Sequence, residues 1–284
     1  WPEKDAWMMT GTFKECEAYS VCARLPKESG KVLVVASAGN TARAFMKVAS
    51  ENEIPLVVVV PEKNMGSLWH VGELNPCVRI IAAGGDSDYS DAIRLSDLIC
   101  GINGFYLEGG AKNVARRDGM GTTVLSAVTT IGEIPDFYFQ AVGSGTGAIA
   151  AHESNLRFNE SGKYGRKLMS LQCSQNEPFV PIYEAWKAGA RSIPEMDEAD
   201  ARRKIDAIDA KVLSNRKPPY SIIGGLHDCL EASSGDMLTA TNEEAALAQK
   251  LFRDLEGCDI CPEGGIALAS LMKKVQNGNI AQDA

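Results

Sequence analysis

Short uninterrupted apolar runs alternate along this chain with longer segments in which apolar residues return every three or four positions. Lys31-Val32-Leu33-Val34-Val35-Ala36, Leu56-Val57-Val58-Val59-Val60 and Val78-Arg79-Ile80-Ile81-Ala82 have strand length and many β-branched residues, and the last two stop at Pro61-Glu62-Lys63-Asn64 and Gly84-Gly85-Asp86. Such runs predict buried strands. Between the first two, Ala42, Phe45, Met46 and Ala49 recur at i, i+3, i+4 and i+7, a helical face. A further helix is predicted over Tyr89 to Cys100, followed by a short strand at Phe105-Tyr106-Leu107. Strands alternating with helices predict βαβ units and a small parallel sheet. Ahead of this sheet, Thr12-Phe13-Lys14-Glu15 has the form of a capping box, which places a helix start at Thr12. Lys14, Ala18, Val21, Cys22 and Leu25 then share one helical face, so Lys14 points where the apolar residues point.

The alternation resumes in the second half. A helix is predicted from Thr122 to Ile131, a strand over Phe137 to Val142, a helix from Ala148 to Phe158 and a strand over Leu168 to Gln172. Glu195 to Lys211 reads as a solvated helix face, and Lys217-Pro218-Pro219 as a loop. Ala245, Ala248, Leu251, Phe252 and Leu255 mark a helix opening at Asn242, and Ile260 through Gly265 a strand-end turn before a helix over Ile266 to Val275. The basic residues Lys112, Arg116 and Arg117 fall in a stretch bounded by Gly109-Gly110 and Gly119 that reads as a linker. The expected fold class is therefore α/β with two parallel-sheet domains, residues 1–115 and 116–284, in keeping with a length that exceeds the usual single domain.

Composition narrows the function classes. A net charge of −8 argues against a nucleic-acid surface, which needs a basic face, and no apolar run reaches the ~20 residues of a membrane span. Eight irregularly spaced cysteines suggest a reducing cytoplasm rather than a disulfide scaffold. Cys258-Asp259-Ile260-Cys261 has no second pair at zinc-ligand spacing, and His70, His152 and His227 are isolated, so no metal is expected. The first residues, Trp1-Pro2-Glu3-Lys4-Asp5, lack an initiator Met, and the sequence is expected to be a fragment with N- and C-terminal parts missing.

Three places offer chemistry. Gly143-Ser144-Gly145-Thr146-Gly147 follows a strand and opens a helix, so its amides and the helix dipole suit a phosphate. The same loop fits a dinucleotide fingerprint or a tight turn that merely permits close packing. A dinucleotide site wants an acid at the end of the next strand, where the predicted strand ends in Gln172. Lys14, desolvated on an apolar face, suits Schiff-base chemistry, the bland reading being a snorkelling side chain. Ser37-Ala38-Gly39-Asn40-Thr41 offers a hydroxyl, an amide and backbone donors at a helix start, or simply a cap.

Taken together, these segments resemble the fold-type II pyridoxal-phosphate enzymes (the tryptophan synthase beta-like type), within them the threonine synthase branch. Thr10-Gly11-Thr12-Phe13-Lys14 is similar to the segment carrying the Schiff-base lysine, Gly143 through Gly147 to the phosphate cup, and Glu108-Gly109-Gly110-Ala111-Lys112 to a Glu-Gly-x-x-Lys crossover. Where that branch has Asp-Arg after the lysine, this chain has Glu15-Cys16-Glu17; with Leu213 through Tyr220, this resembles the archaeal cysteate synthases. The resemblance implies a pyridoxal 5'-phosphate cofactor sited between the two domains, held by Lys14, Asn40, Gly143, Ser144, Gly145, Thr146 and Gly147. It implies Lys14 as the catalytic base, and O-phospho-L-serine and sulfite as substrates in coenzyme M synthesis. It places Ser37, Ala38, Gly39 and Thr41 on the substrate carboxylate and Lys112, Arg116 or Arg117 on phosphate or sulfite. It further implies a homo-oligomer, and a hydroxyl against the pyridine nitrogen that lies beyond Ala284. A threonine synthase, a regulatory homologue and a nicotinamide dehydrogenase are the alternatives.

Overall fold

The computed structural model describes residues 8–25, 30–37, 39–69 and 73–280, so Ala38 and His70 lie outside the described residues. The chain divides into two compact units, Trp1–Thr123 and Val124–Ala284. The first holds a parallel sheet in the order β3-β2-β1-β4, built from β1 (Val32–Ala36), β2 (Leu56–Pro61), β3 (Val78–Ala83) and β4 (Phe105–Leu107). All six residues of β2 are buried, as a central strand covered on both faces requires. The period of two is visible in the packing. Leu33, Val35, Val58 and Val60 meet Ala18 and Val21 of α1 (Lys14–Ala23) and Phe45 and Met46 of α2 (Asn40–Glu51). The alternate residues Val34, Val57 and Val59 meet Ala92 and Leu95 of α3 (Tyr89–Cys100). Each such buried aliphatic side chain contributes about 1.5–3 kcal/mol.

The start of α1 differs from the expected capping box. Phe13 is the N-cap residue and makes no side-chain cap bond. The Glu15 carboxylate instead accepts from Thr10 N and Thr10 Oγ1, while Thr12 Oγ1 accepts from Lys14 N at 3.3 Å. The stretch read as a linker is also different: α4 (Val114–Ile131) is a continuous helix of 18 residues that contains Arg116, Arg117 and Gly119.

In the second unit, β5 (Phe137–Ala141), β6 (Ser170–Asn176) and β7 (Asp236–Ala240) form a parallel sheet in that order. The helix α5 (Thr146–Ser161) follows β5 directly, and α6 (Pro181–Lys187), α7 (Glu198–Ala207) and α8 (Leu226–Ala232) precede β7. Ala245 and Ala248 of α9 (Asn242–Glu256) and Ile266 and Ala269 of α10 (Pro262–Gln276) form one cluster with Ala240 and Leu213. The expected strand-end turn at 260–265 is the loop joining α9 to α10 and the first turn of α10. One side of α7 is not solvated, since Ala201 and Ile205 pack with Phe179 and Ile208. Among the described residues no helix is long and apolar enough to cross a membrane.

Gly119 explains why a residue that reads as a breaker sits inside α4. A Cβ there would lie 2.2 Å from the Cys16 carbonyl oxygen and 2.7 Å from Ser20 Cβ, so α4 touches the backbone of α1. On an exposed helix, Gly→Ala would stabilise by about 1 kcal/mol. Here Gly119→Ala is expected to destabilise by about 1–3 kcal/mol in urea unfolding, because backbone must move to admit the methyl.

Candidate active site

Lys14 begins α1 with its side chain only 18% exposed. Its Nζ lies 3.6 Å from Glu17 Oε2, one turn on, 3.9 Å from Met120 Sδ and 4.7 Å above the Phe13 ring. Burial lowers its pKa; the Glu17 carboxylate opposes that, and the nearby Arg116 guanidinium adds to it. The result is an amine in a mostly dry site with one carboxylate at ion-pair distance.

Behind this amine is a buried charge cluster. Arg116 Nε donates to Glu17 Oε2 at 2.9 Å, and its Nη2 lies 2.9 Å from Glu17 Oε1, off the hydrogen-bond line. Arg116 Nη1 donates to Glu108 Oε2 at 2.6 Å, and Nη2 donates to Thr41 Oγ1 at 3.1 Å. Glu17 is fully buried, and Arg116 and Glu108 are 7% and 6% exposed. Gly110 N also donates to Glu108 Oε2 at 3.0 Å. Burial nevertheless raises the Glu108 pKa against the pull of Arg116.

The loop before α2 is arranged by its own hydrogen bonds. Ser37 Oγ accepts from Gly39 N and Ala42 N, both at 3.0 Å, so Ser37 rather than Asn40 or Thr41 caps the helix. Gly39 has φ 153°, a conformation that L side chains rarely adopt. Arg43, one turn into α2, donates from Nη2 to Asn40 Oδ1 at 2.5 Å, from Nε to Thr10 O at 3.1 Å and from Nη1 to Ser67 O at 2.9 Å. With its oxygen turned to Arg43, Asn40 directs its NH2 the other way, as a donor. Of the basic residues, Lys112 is exposed, Arg116 is committed to two carboxylates, and Arg117 Nη1 donates to Ala111 O at 2.6 Å.

In the second unit, each glycine of the 143–147 loop has its own reason. Gly145 is the N-cap of α5 with φ 76°, and a Cβ there would meet Leu226 Cδ2 at 2.7 Å. At Gly143 a Cβ would lie 3.1 Å from Leu213 Cα, and at Gly147, 2.3 Å from Gln140 Nε2. The back of the loop is thus packed. The N-cap Gly145 has no side chain to cap α5 and Thr146 N reaches Ser144 Oγ only at 3.4 Å, an N-terminus suited to an anion, and the Ser144 and Thr146 hydroxyls sit 2.8 Å apart beside it.

The strand β6 runs on to Asn176, so Gln172 is its third residue and not its end. The residue just past the strand is Glu177, whose carboxylate accepts from Thr239 Oγ1. Gln172 therefore carried no weight against a dinucleotide. His152 lies within α5, and His227 stacks edge-on with Trp186 and Tyr220. His227, Asp228 and Glu231 present ligand atoms within 4.8 Å of one another, but Arg191 Nη2 already stands 2.6 Å from Asp228 Oδ1 and supplies the positive charge. Cys258 and Cys261 are free thiols in the loop before α10.

The family of pyridoxal-phosphate dependent enzymes matches residues 3–284, and the chain belongs to that family. It is 48% identical over 284 residues to a cysteate synthase of Methanosarcina acetivorans, covering 100% of this chain and 68% of the relative. It is 49% identical over 280 residues to a cysteate synthase of Methanocella arvoryzae, covering 98% of this chain and 67% of that one. Among solved structures, a threonine deaminase isoform of Solanum lycopersicum has a TM-score of 0.66 at 16% identity, covering 95% of this chain and 68% of that one. A maize serine racemase has a TM-score of 0.66 at 17% identity, covering 92% and 72% respectively. The α/β fold with parallel sheets is the one these enzymes share.

The residues present fit the cofactor that this family binds. A Schiff base needs an amine that sheds its proton more readily than a solvated lysine, and burial lowers the pKa of Lys14 in that direction. A ring hydroxyl needs a fixed donor, and Asn40 has its oxygen held by Arg43; a phosphate monoester needs helix-start amides with hydroxyls beside them, and the loop 143–147 has both features.

Arg116→Met is expected to destabilise the protein by about 3–5 kcal/mol at pH 8, since Glu17 and Glu108 are left as buried unpaired carboxylates. Glu108 has a raised folded pKa, so its protonated form is the one folding favours: stability is present below the ordinary carboxylate range and lost as pH rises through the folded pKa. The deficit of Arg116→Met relative to wild type, measured by thermal unfolding, should therefore shrink as pH falls from 8 to 5.

Proposed function

We propose that this protein is a cysteate synthase, which converts O-phospho-L-serine and sulfite to L-cysteate and phosphate. The observation that carries the reading is Lys14: a mostly buried amine facing a single carboxylate, in a chain with several relatives at 46–49% identity that are named cysteate synthases. Lys14 and Asn40 would hold the aldehyde carbon and ring of pyridoxal phosphate, and Gly143, Ser144, Gly145, Thr146 and Gly147 its phosphate. When bound, the cofactor supplies the electron sink that stabilises negative charge at the substrate Cα.

The chain's own residues do the rest. Lys14 Nζ, as a free amine, would take the proton from the substrate Cα as general base. Its lowered pKa favours the free-amine form that this requires. The amides at the start of α2 hold the substrate carboxylate, with Gly39 giving close backbone approach and Ser37 fixing the turn. Lys112, exposed and close in sequence to Glu108, would meet the departing phosphate or the incoming sulfite, while Arg116 acts through Glu17 and Glu108 rather than on substrate. The same reading includes a homo-oligomer, on the family resemblance, and a cytoplasmic setting, in which eight free thiols would remain reduced.

The test is a visible spectrum of the cofactor-loaded protein, taken alone, with phosphoserine, and then with sulfite while products are assayed. The spectrum should change with phosphoserine, and cysteate and phosphate should appear in equal amounts once sulfite is added. Lys14→Ala should abolish the lysine-bound band and lower turnover by about 10²–10⁴-fold or more. An unchanged spectrum with phosphoserine, or threonine formed from O-phosphohomoserine in preference to cysteate, overturns the proposal.

A further inference from the structure

The departure from the threonine synthase pattern after Lys14 brings Glu17 into play, and its geometry is more specific than a surface i,i+3 pair. The Glu17 side chain is fully buried, accepts one hydrogen bond from Arg116 with a second Arg116 nitrogen at ion-pair distance, and still approaches Lys14 Nζ to 3.6 Å through the oxygen that accepts from Arg116 Nε. Arg116 in turn is tied to Glu108, and Glu108 to Gly110 N and Asn113 Nδ2. Four charged groups from α1, α4 and the turn after β4 thus form one buried set.

We propose that Glu17 is the positioning residue of Lys14: held rigid by Arg116 and Glu108, it fixes where Nζ rests and sets how readily Lys14 passes between ammonium and amine. This rests on the reading of Lys14 as the cofactor-bearing lysine.

Charge balance gives the reason. With all four groups ionised the set is neutral. When Lys14 becomes the amine, the set carries an uncompensated negative charge in a dry site, unless a carboxylate takes up a proton. Glu108 is the carboxylate that burial inclines to do so, with Glu17 as a like charge nearby. Glu17 is the carboxylate nearest Lys14 Nζ and is tied to Arg116 through the same oxygen. The other groups facing the set are Tyr89 at the start of α3, whose phenol is pushed up by burial, Thr41 on α2, and the uncharged Met120 and Phe13. No other charged group competes with Glu17 for Lys14 at comparable distance among the described residues.

The experiment uses the full chain without cofactor. Lys14 is labelled with acetic anhydride across pH, and the extent is read on its peptide by mass spectrometry in wild type, Glu17→Gln, Glu17→Asp and Glu108→Gln. Glu17→Gln should move the labelling profile to lower pH and raise the rate at neutral pH by roughly tenfold, since removing an opposite charge at this distance disfavours the ammonium. Glu108→Gln should move it the same way but less, and Glu17→Asp should restore part of the wild-type profile. A merely structural role would alter thermal stability and leave the profile in place; an unmoved profile in a folded Glu17→Gln or Glu108→Gln protein overturns the proposal. Borohydride trapping of added pyridoxal phosphate separates the two claims: label on another lysine overturns the reading of Lys14 itself. Label on Lys14 with an unmoved profile overturns only the role of Glu17.

Discussion

The guanidinium of Arg116 is the constraint on which the first unit is arranged. One side chain donates to two buried carboxylates and a threonine hydroxyl, and those partners come from α1, the turn after β4 and α2. Burying an ion is costly, and a pair of ions repays the cost only when geometry is good and the remaining donors are used. Arg116 meets that condition by directing separate N–H groups to separate acceptors, which a lysine point charge could not do. The consequence is positional. The start of α1, the start of α2 and the start of α4 are held to one point, and Lys14 is at that point.

Packing and electrostatics cooperate there. Gly119 lets α4 lie against the α1 backbone at Cys16, one turn from where Arg116 reaches Glu17. Without that close approach the arginine would need to span a wider gap to the same carboxylate. In the second unit the glycines of the 143–147 loop are packed from behind by Leu213, Leu226 and Gln140, while the N-cap Gly145 of α5 carries no capping side chain. The packing of that loop and the proposed phosphate site concern its two sides, and one does not exclude the other.

What the sequence made legible follows from how local each determinant is. The first sheet was readable because β1 and β2 are uninterrupted apolar runs buried on both faces. Lys14 was readable because it shares a helical face with Ala18, Val21 and Cys22. The strand β6 reads short because Ser174, Gln175 and Asn176 are polar yet buried; Asn176 is partnered by Asn242, far along the chain, and Gln175 by amides of α6 beyond the strand's end. The first turns of α4 read as a linker because a glycine in a helix contact looks, locally, like a glycine in a turn. Glu17 had a readable clue, its i+3 spacing from Lys14. Arg43 is at the same spacing from Asn40, but its bonds to Thr10 O and Ser67 O, like the bonds of Arg116 to Glu17 and Thr41, are tertiary and had no local clue.

The bond from Arg43 to Asn40 restricts the chemistry of position 40 more than its size does. Arg43 can only donate, so the atom it meets must accept; the atom on the other arm of the same side chain is then free to donate only if it is nitrogen. An aspartate would satisfy the arginine more strongly and offer nothing but acceptors, and a leucine of similar shape would offer neither. Position 40 is therefore polarised: the fixed positive charge of an arginine inside the fold orients a neutral side chain so that its donor faces away from that arginine, with no net charge added.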